Sequence, residues 1–222
     1  DAIRMTVREL DGAVPLIGFA GAPWTLFAYA VEGKTAKGFP EAKKLLYSDP
    51  TTAHLLLEKI TRVVIAHLKA QVRAGAQAVQ LFDSWVGALS PADYVRYVAP
   101  HVKSIFDALP KDVPHIHFGT GNPALYPAMR AAGGTVIGLD WRCDLGATWS
   151  TLGDVAVMGN LDPALLVCPE DAMKDGARRV LASAAGKPGH VFNLGHGIVP
   201  ETPPENVAAL VDAVHEVSKR YH

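Results

Sequence analysis

The sequence has little that would let it bind a partner by charge. Its 21 Lys and Arg stand against 22 Asp and Glu, a net charge of −1, and no basic run breaks that balance. Binding to nucleic acid or to an anionic membrane surface therefore has no electrostatic support. Cysteine is nearly missing: Cys143 and Cys168 are solitary and show no paired spacing. That argues against a disulfide framework and suits a reducing, cytoplasmic compartment. No stretch approaches the ~18 uncharged apolar residues of a membrane-spanning helix, and Asp1-Ala-Ile-Arg4 lacks the layout of a secretory signal. No strand leads into a Gly-x-Gly-x-x-Gly turn, because Gly18-Phe-Ala-Gly21 and Gly119-Thr-Gly121 have the wrong spacing; this disfavours a dinucleotide cradle.

What is present is apolar and regularly punctuated. The 222 residues are 49% hydrophobic, with 16 prolines and 20 glycines spread along them, which is ample for one large core. Six β-rich runs recur: Val14–Phe19, Ala78–Phe82, Val113–Phe118, Thr135–Leu139, Val155–Met158 and His190–Leu194. Each is followed by a turn cluster and then a helical pattern. The longest helix is predicted to open at Asp49-Pro50, to carry Ala53, Leu56, Leu57, Ile60, Val63, Val64, Leu68 and Val72 inward, and to stop at Gly75. Another opens at Ser90-Pro91 with Tyr94, Val95, Val98, Val102, Ile105 and Phe106 facing in, and the last carries Val207, Leu210, Val211, Val214 and Val217. With no linker or charge block, residues 1–222 are expected to form a single domain.

Alternating strands and helices imply a parallel sheet with right-handed crossovers. Small and polar residues recur at the strand ends, at Gly21, Asp83-Ser84, Gly119-Thr120, Asp140, Asn160 and Gly195-His196. Barrel active sites are built at those ends. The fold class expected is α/β, a (β/α)8 TIM-type barrel, here incomplete, with six of eight β/α units. Two units fewer, fewer residues than the roughly 250 typical of the fold and a first residue that is Asp and not Met lead to the expectation that the front of a longer protein is missing.

Several residues are candidates for chemistry. His196 stands between two glycines at the rim of the last strand, where the backbone can come close to a ligand. Ser84 follows the second strand without a Gly-x-Ser-x-Gly elbow, so it reads either as a ligand contact or as a turn or capping serine. Trp24 and Tyr29 sit on a helix opened by Pro23 and either line a pocket for a flat ligand or belong to the core, the commoner fate of such aromatics. His115 and His117 share one face of a strand; zinc is a possible reading, and buried, hydrogen-bonded histidines are the expected one. Asp140 and Asp162 follow strands and serve either as acid or ligand contact, or, as favoured, as loop caps and partners of Arg142 or a backbone N–H.

Read in order, Gly18-Phe-Ala-Gly-Ala-Pro-Trp-Thr-Leu26, Tyr29-Ala-Val-Glu-Gly33, Gln80-Leu-Phe-Asp-Ser84, Gly138-Leu-Asp-Trp141, Gly159-Asn-Leu-Asp-Pro163 and Asn193-Leu-Gly-His-Gly197 resemble the uroporphyrinogen decarboxylase family. The resemblance implies a (β/α)8 barrel, a cytoplasmic homodimer, no metal and no organic cofactor. It also implies an activity, removal of the four acetate carboxyls of uroporphyrinogen III to give coproporphyrinogen III and CO2. Tyr29, Ser84 and His196 would bind substrate. No catalytic residue is assigned within this chain, since the family's Arg-Gln-Ala-Gly-Arg segment and its pyrrole-binding aspartate would precede residue 1. One alternative is a zinc-dependent corrinoid methyltransferase of the same superfamily. Its His-x-Cys motif would fall on His117-Phe-Gly119 and its later cysteine near Gly195-His196, and neither Cys143 nor Cys168 fits. Another is a non-enzymatic, truncated remnant.

Overall fold

The computed structural model describes residues 1–220. Beside the expected single domain, its contacts cluster into two compact units, Asp1–Val136 and Ile137–His222, each described in turn.

The first unit opens with α1 (Ala2–Leu10), β1 (Ile17–Gly21), α2 (Pro23–Glu32), α3 (Pro40–Ser48) and α4 (Pro50–Arg73). Pro23 and Pro50 occupy first-turn positions, where the missing N–H costs nothing and φ is already helical. The Asp49 side chain accepts the Thr52 N–H at 3.0 Å, capping α4, and Gly75 with φ +111° lies just past its end. The buried stripe of α4 is Ala53, Leu57, Thr61, Val64, Leu68 and Gln71. Val63 was expected inward but is 68% exposed: it neighbours Val64, and adjacent residues on a helix point ~100° apart. Gly18 lets β1 lie directly on α4, since a β-carbon there would collide with the Gln71 side chain. The Gln71 amide donates to the Phe19 carbonyl at 2.7 Å.

Next come β2 (Ala78–Asp83), the short α5 (Pro91–Asp93), a π turn (Tyr94–Val98), α6 (Ala99–Ala108), β3 (His115–Gly119) and α7 (Tyr126–Ala132). Ser90 caps α5 by accepting the Asp93 N–H at 3.1 Å. The π turn adds one residue to the rotation, and Val95, expected inward, is 55% exposed as a result. β1 pairs with β2 (Ile17↔Ala78) and β2 with β3 (Val79↔His115), both parallel. Along β2, Val79, Leu81 and Asp83 are buried while Ala78, Gln80 and Phe82 are half-buried, the alternation a pleated strand requires.

β4 (Val136–Gly138) crosses into the second unit, followed by α8 (Leu145–Leu152), β5 (Ala156–Leu161), α9 (Glu170–Ala184), β6 (His190–Leu194) and α10 (Pro204–Ser218). Just past β4, Leu139 donates its N–H to Met158 of β5 at 2.8 Å, and β5 pairs in parallel with β6 (Val157↔His190). The core here is Leu161, Leu166, Met173, Ala177 and Leu210, with Phe192 and Leu194 of β6 packed against it. A fully buried leucine of this kind contributes about 1.5–3 kcal/mol.

The strand order is β1-β2-β3-β4-β5-β6, chain order throughout. This is the α/β architecture expected, a parallel sheet of barrel type left open at six strands. Among the described residues no helix is long and apolar enough to cross a membrane.

Candidate active site

In the first unit the C-terminal end of β2 and the start of α2 are built as one piece. Ser84 is half-buried immediately after β2. It lies in a turn, one half of the alternative reading, and among the described residues its hydroxyl caps no helix; Ser90 caps α5. On α2 the aromatics divide. Trp24 and Phe27 are fully buried, as the core reading expects, whereas Tyr29 is 41% exposed.

Trp85 links the two elements. Its backbone N–H donates to Thr25 Oγ1 at 3.3 Å and its carbonyl accepts from Trp24 Nε1 at 2.9 Å. Its ring meets Tyr29 edge-on at 6.2 Å and Phe39 at 5.2 Å. Thr25 in turn donates its hydroxyl to Asp83 Oδ1 at 2.6 Å. Asp83 is buried on the helix side of β2, and burial pushes its carboxyl up to about 7 against the opposing pull of the Thr25 hydrogen bond. Sequence reasoning placed Asp83 at a strand end without assigning it a role and passed over Thr25. The signal was available: a period of two through Val79 and Leu81 puts Asp83 among apolar neighbours, where an acid needs a reason.

His115 and His117 are buried, hydrogen-bonded histidines. His117 Nδ1 donates toward the carbonyls of Gly133 at 3.0 Å and Met129 at 3.1 Å, its Nε2 lies 3.5 Å from the Tyr94 hydroxyl, and His115 Nε2 bonds the Pro110 carbonyl at 2.8 Å. Burial takes the His117 imidazole down to about 4, so it is neutral at pH 7. No group of three or more His, Cys, Asp or Glu among the described residues is arranged to hold a metal.

In the second unit the ends of β4 and β6 meet. Asp140 is fully buried; its Oδ1 accepts the Arg142 N–H at 3.0 Å and its Oδ2 the Arg142 guanidinium at 2.9 Å. That guanidinium lies over the Trp141 ring at 3.8 Å, a cation–π contact held in place by a buried carboxylate. Trp141 meets His196 edge-on at 6.2 Å, and His196 is exposed. The favoured reading of Asp140 as partner of Arg142 holds. Asp162 likewise caps a turn, accepting the Ala164 N–H at 2.9 Å. Gly195 has a packing role of its own, since a β-carbon there would collide with the Asp140–Trp141 backbone, while a β-carbon on Gly197 would meet nothing within 4 Å. The Arg142–Trp141 stack had no sequence signal beyond adjacency.

Parallel β/α units with polar groups gathered at the C-terminal strand ends define a barrel-type enzyme scaffold. The family model for uroporphyrinogen decarboxylase (URO-D) matches residues 1–217, and the chain belongs to that family. It is 53% identical over 221 residues to a uroporphyrinogen decarboxylase of Sorangium cellulosum, 99% of this chain and 63% of that protein. Similar matches are those of Geobacter sp. strain M21 (48%, covering 99% and 65%) and Thermus thermophilus (50%, covering 98% and 64%). The chain thus spans a little under two thirds of the length of these relatives. Among solved structures, a methyltransferase from Methanosarcina mazei superposes with TM-score 0.84 at 23% identity, covering 97% of this chain and 62% of that one. At that identity the likeness shows the fold.

Proposed function

We propose that residues 1–222 are six β/α units of a uroporphyrinogen decarboxylase, a cytoplasmic homodimer acting on uroporphyrinogen III. The observation that carries this reading is the family match over residues 1–217, at about half identity to three decarboxylases. The motifs holding Tyr29, Ser84 and His196 fall within the matched stretch. The methyltransferase alternative has only the fold in its favour, and Gly119 stands where its His-x-Cys motif would need a thiolate.

In the proposed reaction a proton adds to a pyrrole ring carbon, making the ring an electron sink. The bond between the acetate methylene and its carboxylate breaks, CO2 leaves, and the electron pair flows into the ring. The resulting exocyclic methylene takes a proton to become methyl, and the ring carbon gives its proton back. Each acetate therefore consumes one proton net and releases one CO2, with no external oxidant or reductant. The protein's part is binding, orientation and stabilisation of developing charge. Tyr29 and Ser84 offer hydroxyl donors to substrate carboxylates, and His196 offers an imidazole at the β6 rim.

The test is incubation with uroporphyrinogen III and chromatographic analysis of products. It compares this chain with a fusion carrying the part of the Sorangium relative that the match does not cover. The fusion should release four CO2 per macrocycle. In it Tyr29→Phe, Ser84→Ala and His196→Asn should each fold yet lose about tenfold to a hundredfold in kcat/KM, as expected for one hydrogen bond to a charged group at roughly 1.5–3 kcal/mol. No decarboxylation by the fusion overturns the reading and favours an inert remnant.

A further inference from the structure

We propose that Asp83, acting through Thr25, is a positioning residue that holds Ser84 and Tyr29 in fixed relation, an inference resting on the reading of those two as substrate contacts. Ser84 and Tyr29 belong to different elements, the end of β2 and the last turn of α2. A continuous chain of contacts joins them. Trp85 N–H donates to Thr25 Oγ1 at 3.3 Å, Thr25 O–H donates to Asp83 Oδ1 at 2.6 Å, and Trp24 Nε1 donates to the Trp85 carbonyl at 2.9 Å. Both backbone polar groups of Trp85 are thereby taken by the first turn of α2, and its ring packs on Tyr29 further along the same helix. Ser84 is the single residue between the two anchored ones. A rotation of this turn would move Ser84 and disturb Tyr29 together.

Stability alone would not select a carboxyl at this place. Asp83 is 1% exposed, Thr25 satisfies one oxygen, and Oδ2 has no hydrogen-bond partner. A buried acid with half its acceptors unmet is costly and tends to hold its proton. The groups that face it are Thr25 from α2 and Tyr94 from the π turn, with neutral His117 of β3 behind Tyr94. Burial, and then Asp83 itself, hold the Tyr94 hydroxyl well above its usual range. None of these is a cation. The folded carboxyl titrates at about 7 against 3.8 for an ordinary aspartate, so the folded state keeps the extra proton between those values. Asp83 therefore lowers stability as pH rises through that window, and the loss is complete above it. An acid that costs stability while ordering the turn between half-buried Ser84 and exposed Tyr29 is what a group retained for site geometry looks like.

The test is NMR on the 222-residue chain between about pH 5 and 9, with urea unfolding alongside, for wild type, Asp83→Asn, Thr25→Ser and Thr25→Val. The Ser84 and Trp85 amides and the Tyr29 ring should titrate together with one midpoint near neutrality. Asp83→Asn should abolish that titration and leave the chain at least as stable as wild type at pH 8. Thr25→Ser should keep the shared titration, and Thr25→Val should leave the Tyr29 ring unmoved while Asp83 titrates. If Thr25→Val does not fold, Asp83→Asn and Thr25→Ser decide. The proposal is overturned if the three signals titrate independently or persist unchanged in Asp83→Asn. It is equally overturned if Asp83→Asn is merely less stable at pH 8, the result of a purely structural role. Failure of the decarboxylase reading would show elsewhere, as absent turnover in the fusion with this titration intact.

Discussion

Gly195 lies against the peptide joining Asp140 to Trp141, so closely that a β-carbon would collide with the Trp141 backbone nitrogen. Its own N–H donates to the Leu161 carbonyl at 2.7 Å. His196 is presented by this backbone-on-backbone contact. Gly195→Ala should therefore force the two strand ends apart, at a cost of about 1–3 kcal/mol typical of overpacking, and shift the His196 ring signals. Gly197→Ala, which meets open space, should change stability by no more than ~0.5 kcal/mol. Equal urea midpoints for the two variants would sink this account.

Acid should destabilise the first unit through its buried imidazoles. His117 falls from 6.5 to about 4 through burial, opposed by the hydrogen bonds to Gly133 and Met129. His101 is also held down, by burial and then by His54, whose Nδ1 lies 3.0 Å from its Nε2. In both cases the unfolded state takes up protons first, so stability is full above about pH 6.5 and is lost as pH falls through the window below it. For His117 alone the loss by pH 4 is roughly 3 kcal/mol, at about 1.4 kcal/mol per pH unit. Urea unfolding of wild type and His117→Asn from pH 4 to 8 checks the sign: the wild-type slope should be steeper.

Phe19, 61% exposed, projects beside Ile17 from β1, at one end of the strand order. An apolar edge strand of this kind invites association. Phe19→Ser should lower dye binding and shift light-scattering mass toward monomer, with stability within ~0.5 kcal/mol. An unchanged mass distribution at equal concentration would refute the assignment of association to this edge.

Protein purified without chelators should carry no stoichiometric zinc by elemental analysis. The expectation rests on the donor set: no group of three or more His, Cys, Asp or Glu among the described residues is arranged to hold a metal. A tightly held zinc lost on His117→Asn would revive the methyltransferase reading.

The strands were legible because each is a short apolar run closed by glycine or a polar cluster; the predicted His190–Leu194 coincides with β6 and Ala78–Phe82 falls one residue short of β2. Helix starts at Asp49-Pro50 and Ser90-Pro91 were legible because capping is local chemistry. What did not read out was which of two neighbouring valines turns inward, as at Val63, and where the helical period changes, as at Val95. Among site residues, Tyr29 separated from Trp24 only once the helix was placed on β2. The Asp83–Thr25 bond spans 58 positions, and no local pattern encodes a contact at that separation.

The π turn at Tyr94–Val98 has a consequence for chain length. One more residue per turn is the mark of a single insertion in an α-helix, and the residue it turns outward is Val95. Deleting Val95 would restore the α-helical phase with Val102, Ile105 and Phe106 still on their buried face, the ladder being interrupted at Pro100, which has no N–H to donate. A one-residue deletion inside Ala99–Val102 would instead rotate the residues after it by about 100°, bringing Ile105 and Phe106 out of the core. This helix thus has a place where the polypeptide can be one residue shorter and keep its register, and a neighbouring stretch where it cannot.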